Sequence, residues 1–342
     1  MIVKFKENRV RRAYFGGKRI DRFLGKENAE DGRYPEEWLA SSVEAFNPDL
    51  PREGEGVSYT EDGKSFRDLL SEKGPILLGE RCYHADGGKM SLLVKLLDSA
   101  ERLVIQCHPT VEFARERMGA PFGKTECWYI LDAEPQAHVY LGFKEGITRE
   151  KWEALFRSQD VEGMLSCLHK FPVKAGDLWF VAGGVPHAIG GGSFMIELQE
   201  PSDLMVIPER VTPSGVVLAE KKLHAGLGFE EMFDVYSYEG LSEEETRKRY
   251  FRHPERKENQ MVPIVDASLT DKFSMSRLCV SGRAKTDLSD SYAVAVVTEG
   301  NGTVLSDGKQ IPLKKGDNFF VSACAGPLYM EGNMELVLCI SH

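Results

Sequence analysis

The chain has 342 residues, 42% of them hydrophobic and 28% charged, with a formal net charge of −10. That length accommodates two ordinary domains, each with its own core, and the composition is that of a globular protein in water. The acidic balance argues against a nucleic-acid face, and no apolar run reaches the length of a bilayer span, so neither nucleic acid nor membrane is expected as a partner.

The N-terminal stretch MIVKFKENRVRRAYFGG is charged throughout and lacks the apolar centre of a secretory signal, which points to the cytoplasm. Strand-like runs follow: PILLGE, SLLVKLLD, ERLVIQCHP, ECWYIL, AHVYLGF, DLWFV and SFMIELQ, short, β-branched or aromatic, and separated by turn residues. Two helical segments interrupt them. The first is expected over roughly 148–170, with Thr148 as N-cap and Trp152, Leu155 and Phe156 on one face. The second spans roughly 230–250, where Ser242 and Glu245 form a capping box and His253-Pro254 ends the run. Strands return from Val262 onward in FSMSRLCVS, SYAVAVVTE, GTVLS, NFFVS and ELVLCIS.

Two stretches share a frame. VKAGDLWFVAGGVPHAIGGG (173–192) and LKKGDNFFVSACAGPLYMEG (313–332) each place a lysine, a Gly-Asp pair and an aromatic strand ending in valine at matching positions. The period is far longer than a solenoid repeat and fits one domain type used twice. Many short strands with regular turns fit a mainly β chain of two cupin domains, small jelly-roll β-barrels with a helical insert between them. The boundaries are 1–225, 226–258 and 259–342. In the second copy the place of His187 falls near Pro327, with no histidine. A polar group kept by one copy alone points to chemistry in the first.

The remaining polar residues inside apolar strands sharpen that point. In Ile105-Gln106-Cys107-His108-Pro109, the period of two puts Gln106 and His108 on one face. In Gly123-Lys124-Thr125-Glu126-Cys127-Trp128, it puts Lys124, Glu126 and Trp128 together. A carboxylate inside so apolar a strand is costly without a cation. Two histidines with a carboxylate suit zinc or another divalent first-row metal with an open position. Spacing also offers Glu112, four residues after His108, and periodicity does not choose between Glu112 and Glu126. The seven cysteines (82, 107, 127, 167, 279, 324, 339) form no C-x-x-C pair, so neither a disulfide framework nor a thiolate zinc site is expected. GAPFGKT lacks the spacing of a phosphate loop and runs into a strand. His84, His138, His169, His224 and His253 have no comparable partners and read as structural or surface residues.

Taken in order, LLVKLLDSAERLVIQCHPTVEFA, GKTECWYIL and VKAGDLWFVAGGVPHAIGGGSFMIELQEPSD resemble the type I phosphomannose isomerase family, with further matches from the FGG and EEWLASS stretches to the second barrel. The resemblance implies a zinc-dependent cupin enzyme, one Zn²⁺ per chain, that interconverts the small phosphorylated sugars mannose 6-phosphate and fructose 6-phosphate. It implies Gln106, His108, Glu126 and His187 as metal ligands, and so Glu126 over Glu112. It places Lys95, Lys124 and Glu197 in the pocket, Lys124 and Glu197 with catalytic roles and both lysines toward substrate. The base stays open between Glu197, a water on the metal and a lysine. The family carries a catalytic arginine after its Q-x-x-S-D segment. Here the sequence reads SDLMVIPERVTPSG, and counting from Asp203 puts Ile207 at that position. Arg210, the next arginine, is expected to take the catalytic and phosphate-binding role. The altered loop leaves two alternatives: an isomerase of another sugar or sugar phosphate, and a non-catalytic sugar-phosphate binder.

Overall fold

The structure, a computed structural model, describes residues 1–48, 51–288, 290–306 and 308–342. It is mainly β, with 36% of residues in strands and 21% in helices. One antiparallel seven-stranded sheet has the order Phe251–Arg252, Leu178–Val181, Glu126–Ala133, Ser193–Gln199, Leu93–Ser99, Glu36–Leu39 and Arg9–Val10. A three-stranded sheet of Leu168–Pro172, His138–Phe143 and His187–Ile189 accompanies it. Pairing among the described residues leaves both sheets open, so the first cupin unit is not a hydrogen-bonded closed barrel.

The second seven-stranded sheet is built around three strands of fourteen residues each, Phe273–Thr286, Ala293–Ser306 and Leu328–Ser341. A register shift between Val297 and Glu299 marks an irregularity where the ladder bends. Val294 and Val296 point into a core shared with Val94, Leu96, Ile196 and Leu198 of the first sheet. Ala293, Ala295 and Val297 point the other way, into a second cluster with Phe319 and Leu336. Burial on both faces is why AVAVV reads as a continuous apolar run. Each large side chain buried this way contributes about 1.5–3 kcal/mol. The N-terminal strand Ile2–Val3 pairs with Phe320 and Val321, so the start of the chain is stitched into the second sheet.

Several local expectations differ from the fold. PILLGE is not a strand: Pro75–Leu78 closes the helix Phe66–Leu78, which Ser65 caps by accepting from the Asp68 amide. Apolar character alone does not separate a buried strand from a buried helical turn. The first helical segment is two helices, Arg149–Ser158 and Val161–Ser166, parted at Gln159 (φ +53°), where Asp160 caps the second by accepting from the Gly163 amide. Its last residues join the strand Leu168–Pro172. The second segment is a 3₁₀ turn, Glu231–Val235, and a separate helix, Glu243–Tyr250, that carries the expected capping box.

Candidate metal centre and pocket

The site begins with one transverse row of the first sheet. Trp38, Lys95, Glu197, Trp128 and Trp179 are successive cross-strand partners, so their side chains share a face. Two residues along, Glu126 stands on the same face opposite Gln199. Large tryptophans thus flank a strip whose polar groups include Lys95, Glu197, Glu126 and Gln199, all nearly fully buried.

His108 arrives from a loop and His187 at the start of the strand His187–Ile189. ERLVIQCHP does not continue as a strand. Gln106 makes a single antiparallel bridge to His187, each amide donating to the other's carbonyl at 2.9 Å, and Cys107 bridges Val206. Ile105 and Cys107 are buried in a neighbouring apolar cluster while Gln106 lines the pocket, the alternation that the period of two requires. The Gly183-Gly184 turn then folds against His108: the Gly184 amide donates to the His108 carbonyl at 2.7 Å. Gly184 has φ +84°, and a Cβ on Gly183 would lie 2.8 Å from the Thr110 Cα. Only glycine permits this approach.

His108, Glu126 and His187 converge, their ligand atoms all within 4.8 Å of one another. His108 Nε2 lies 3.2 Å and His187 Nε2 3.4 Å from the Glu126 carboxylate. His187 Nδ1 is 2.8 Å from the Val185 carbonyl and His108 Nδ1 3.0 Å from that of Leu204. A carbonyl only accepts, so Nδ1 of each ring carries the proton and Nε2 presents a lone pair to the cluster. Burial, then His108, pushes His187 down to about 3, and burial, then Lys124, lowers His108. Both rings are therefore neutral ligands at neutral pH. Burial pushes Glu126 upward, but the Lys124 ammonium outweighs it and holds the carboxyl well below its usual range.

This donor set fits a divalent cation. His187 Nε2 is buried without a hydrogen-bond partner among the described residues, a costly condition that a metal ion would remove, while Glu126 Oε2 has the Lys124 ammonium at 2.9 Å. Gln106, 8% exposed, lines the pocket beside the cluster. Glu112 stands exposed in the first turn of the helix Val111–Met118, outside the cluster. No second His, Cys, Asp and Glu cluster of this kind occurs among the described residues.

The pocket beside the cluster is lined by Arg12, Lys95, Gln106, Lys124, Glu197 and Asp203 among others. Lys124 Nζ lies 2.9 Å from His108 Nε2 and 2.9 Å from Glu126 Oε2. Lys95 donates to Glu197 at 2.8 Å, and burial raises the Glu197 carboxyl more than Lys95 lowers it. Ile207 is 1% exposed and forms part of the pocket's apolar wall with Leu218.

Arg210 is not in this pocket. Its guanidinium lies over the rings of Phe156 and Phe229, 5.2 and 4.8 Å from their centroids, in a separate cavity with Arg149 and Arg157. The guanidinium in the pocket comes instead from Arg12, which sequence reasoning passed over. Arg12 donates both Nη groups to Asp203 at 2.9 and 3.0 Å, and its Nε lies 3.0 Å from Glu36. Glu36 also accepts from the Tyr14 hydroxyl and the Trp38 indole at 2.7 Å each. Burial opposes the charges, yet Asp203 and Glu36 hold Arg12 cationic, and Arg12 with Lys95 brings Glu36 down to about 2. The pairing of Arg12 with Asp203 spans 191 residues, so no local motif announces it.

Fold and site together define a two-unit cupin protein with a buried His-Glu-His metal centre at the end of one pocket. The family model described as "Mannose-6-phosphate isomerase, cupin domain" matches residues 266–341. The chain is 30% identical over 260 residues to the probable mannose-6-phosphate isomerase GmuF of Bacillus subtilis, covering 75% of this chain and 76% of that one. It is 29% identical over 265 residues to the mannose-6-phosphate isomerase ManA of the same organism, again 75% and 76% of each. The crystal structure of the mannose 6-phosphate isomerase from Bacillus subtilis superposes with a TM-score of 0.76 over 99% of both chains at 23% identity, a likeness of fold. The chain belongs to the type I phosphomannose isomerase family.

Proposed function

We propose that the protein is a zinc-dependent aldose–ketose isomerase that interconverts mannose 6-phosphate and fructose 6-phosphate. The observation that carries this reading is the buried His108–Glu126–His187 cluster beside a pocket that holds Lys95, Lys124 and Glu197. The names of the relatives and a neighbouring isomerase crystal structure described as bound with zinc and yttrium support it.

His108, Glu126 and His187 would hold the ion, with Gln106 beside them. A divalent ion there supplies Lewis-acid stabilisation of negative charge on the sugar oxygens, worth several kcal/mol in the transition state. The chain's own groups do the rest. The reaction moves a proton between carbon 2 and carbon 1, and Glu197, a buried carboxyl raised by burial and anchored by Lys95, is placed to carry it. Lys124 and Arg12 line the pocket in which the sugar oxygens and the phosphate would lie. Arg12, pinned by Asp203 and Glu36, still has one N–H on each Nη for substrate. In this reading Arg12, not Arg210, is the pocket arginine. The apolar side formed by Leu97, Leu103, Ile207 and Leu218 would keep water from the reacting carbons.

The test is formation of fructose 6-phosphate from mannose 6-phosphate by purified, zinc-loaded protein, with free mannose and glucose 6-phosphate as competing substrates. Turnover confined to mannose 6-phosphate is expected. Preference for another sugar phosphate would favour the second reading, an isomerase of altered specificity, which the replacement of an arginine by Ile207 motivates.

A further inference from the structure

Lys124 sits on the atoms that a metal would use. Its ammonium lies 2.9 Å from His108 Nε2 and 2.9 Å from Glu126 Oε2. With His108 Nδ1 turned to the Leu204 carbonyl, Nε2 has a single lone pair, and that lone pair cannot serve both an N–H donor and a metal ion. Glu126 itself is no bar, since each carboxylate oxygen has two lone pairs and Oε1 accepts only from Trp128 Nε1, at 3.0 Å, so the conflict lies at His108 Nε2. A metal at the cluster and Lys124 in its present rotamer are mutually exclusive.

The displaced ammonium has one near destination. Lys124 is 2% exposed, lies on the face that carries Glu126, and lines the pocket. The pocket's carboxylates are already engaged: Asp203 and Glu36 with Arg12, and Glu197 with Lys95. Once a divalent ion takes Glu126, Lys124 enters the pocket without the carboxylate that neutralised it. An anionic group is the complement that this leaves, and a phosphate has the charge and the acceptor oxygens to supply it.

We propose that Lys124 couples the two sites. Its ammonium alternates between the metal ligands and the pocket, so that metal binding and phosphate binding each strengthen the other. The metal half rests on the cluster geometry, and the phosphate half on the sugar-phosphate reading above. Linkage requires the coupling to be reciprocal and of equal factor in both directions.

Equilibrium binding tests it without any turnover, so loss of the isomerase reading would not be mistaken for loss of this one. Zinc affinity is measured by competition with a chromophoric chelator, with and without inorganic phosphate, for the wild-type protein, Lys124→Met and Lys124→Gln. Thermal melts establish that each variant is folded, and the glutamine variant serves if the methionine variant is not. In the wild type, phosphate is expected to tighten zinc binding at least fivefold. In the variants, zinc is expected to bind at least tenfold tighter than in the phosphate-free wild type, and phosphate to leave that affinity unchanged. Folded variants that bind zinc no tighter than the wild type would overturn the competition. A phosphate effect that is absent from the wild type, or that persists in the variants, would overturn the coupling.

Discussion

Arg12 shows how a single residue's role depends on where its side chain is carried. In sequence it belongs to a charged stretch, RVRRAY, that looks like surface. In the fold it is 6% exposed and holds two carboxylates from positions 36 and 203. Arg210, near the expected place along the chain, spends its charge on two phenylalanine rings. Arg12→Lys, which keeps the charge and loses the fork, is therefore expected to lower turnover at least tenfold with zinc content retained. Arg210→Ala is expected to leave turnover near the wild-type value. Steady-state kinetics with metal analysis separates the two, and the opposite pattern would return the role to Arg210. Glu37 offers a residue-scale test of stability. It is buried on the face away from the pocket, accepts from the Asn8 amide at 2.6 Å, and has its second oxygen without a hydrogen-bond partner among the described residues. Burial raises it from 4.5 to about 8, the Asn8 bond offsetting only part. The folded state thus holds a proton that the unfolded chain releases at lower pH. Its contribution is complete below about pH 4.5 and is lost as pH rises toward 8. Glu37→Gln is expected to match the wild type near pH 4.5 and to exceed it by about 2–4 kcal/mol at pH 8, read from melting curves across pH.

At the scale of elements, the three ligand-bearing segments meet on one piece of backbone. Thr110, two residues after His108, is flanked by Gly183 and Gly123: a Cβ on Gly183 would lie 2.8 Å from its Cα, and one on Gly123 2.7 Å from its carbonyl carbon. Gly123 precedes Lys124 and Glu126, and Gly183 precedes His187. Gly183→Ala is expected to cost about 1–3 kcal/mol through overpacking against backbone and to weaken zinc binding, because the His187 turn has to shift. Gly32→Ala, with open space around it, is the control. His187→Ala is expected to lose zinc outright, and unchanged zinc content in that variant would sink its role as ligand. Much of this site was legible in the sequence. Glu126 stood out because a carboxylate in an apolar strand needs a cation, His187 because the second copy of the repeated frame lacks it, and the period of two paired Gln106 with His108. The choice between Glu112 and Glu126 was not legible from periodicity: a four-residue spacing says nothing of whether Pro109 and Thr110 end one element and start a helix whose first turn faces outward. PILLGE was misread for a similar reason. Three apolar residues after a proline suit a strand as well as the last turn of a capped, kinked helix, and only packing against the second unit decides.

At the scale of the molecule, the repeated lysine–Gly-Asp–aromatic frame marks two like units, and the second sheet serves the site by backing the first. The shared core joins Val94, Leu96, Ile196 and Leu198, whose opposite faces carry Lys95 and Glu197, to Val294, Val296, Phe320 and Val337. Phe320 sits at the joint, 5.2 Å from the Phe66 ring and 5.7 Å from that of Tyr292, and its strand pairs with Ile2–Val3. Phe320→Ala is expected to cost about 3–5 kcal/mol. The whole chain should still melt in one transition, with the zinc released in it, and calorimetry resolving two separated transitions would show that the units are independent. The shared core was not legible in the sequence, since alternation along a strand shows which residues are buried but not which sheet they meet.

A metal held by His108, Glu126 and His187 is what would make this chain an isomerase. The direct measurement is mannose 6-phosphate isomerisation by purified protein before chelation, after it, and after zinc is returned, with zinc per chain determined at each stage. Activity that falls with the zinc and returns as occupancy approaches one ion per chain is the predicted result. Isomerisation that persists at full rate in protein shown to be free of metal, or none in protein shown to hold one zinc per chain, would contradict it.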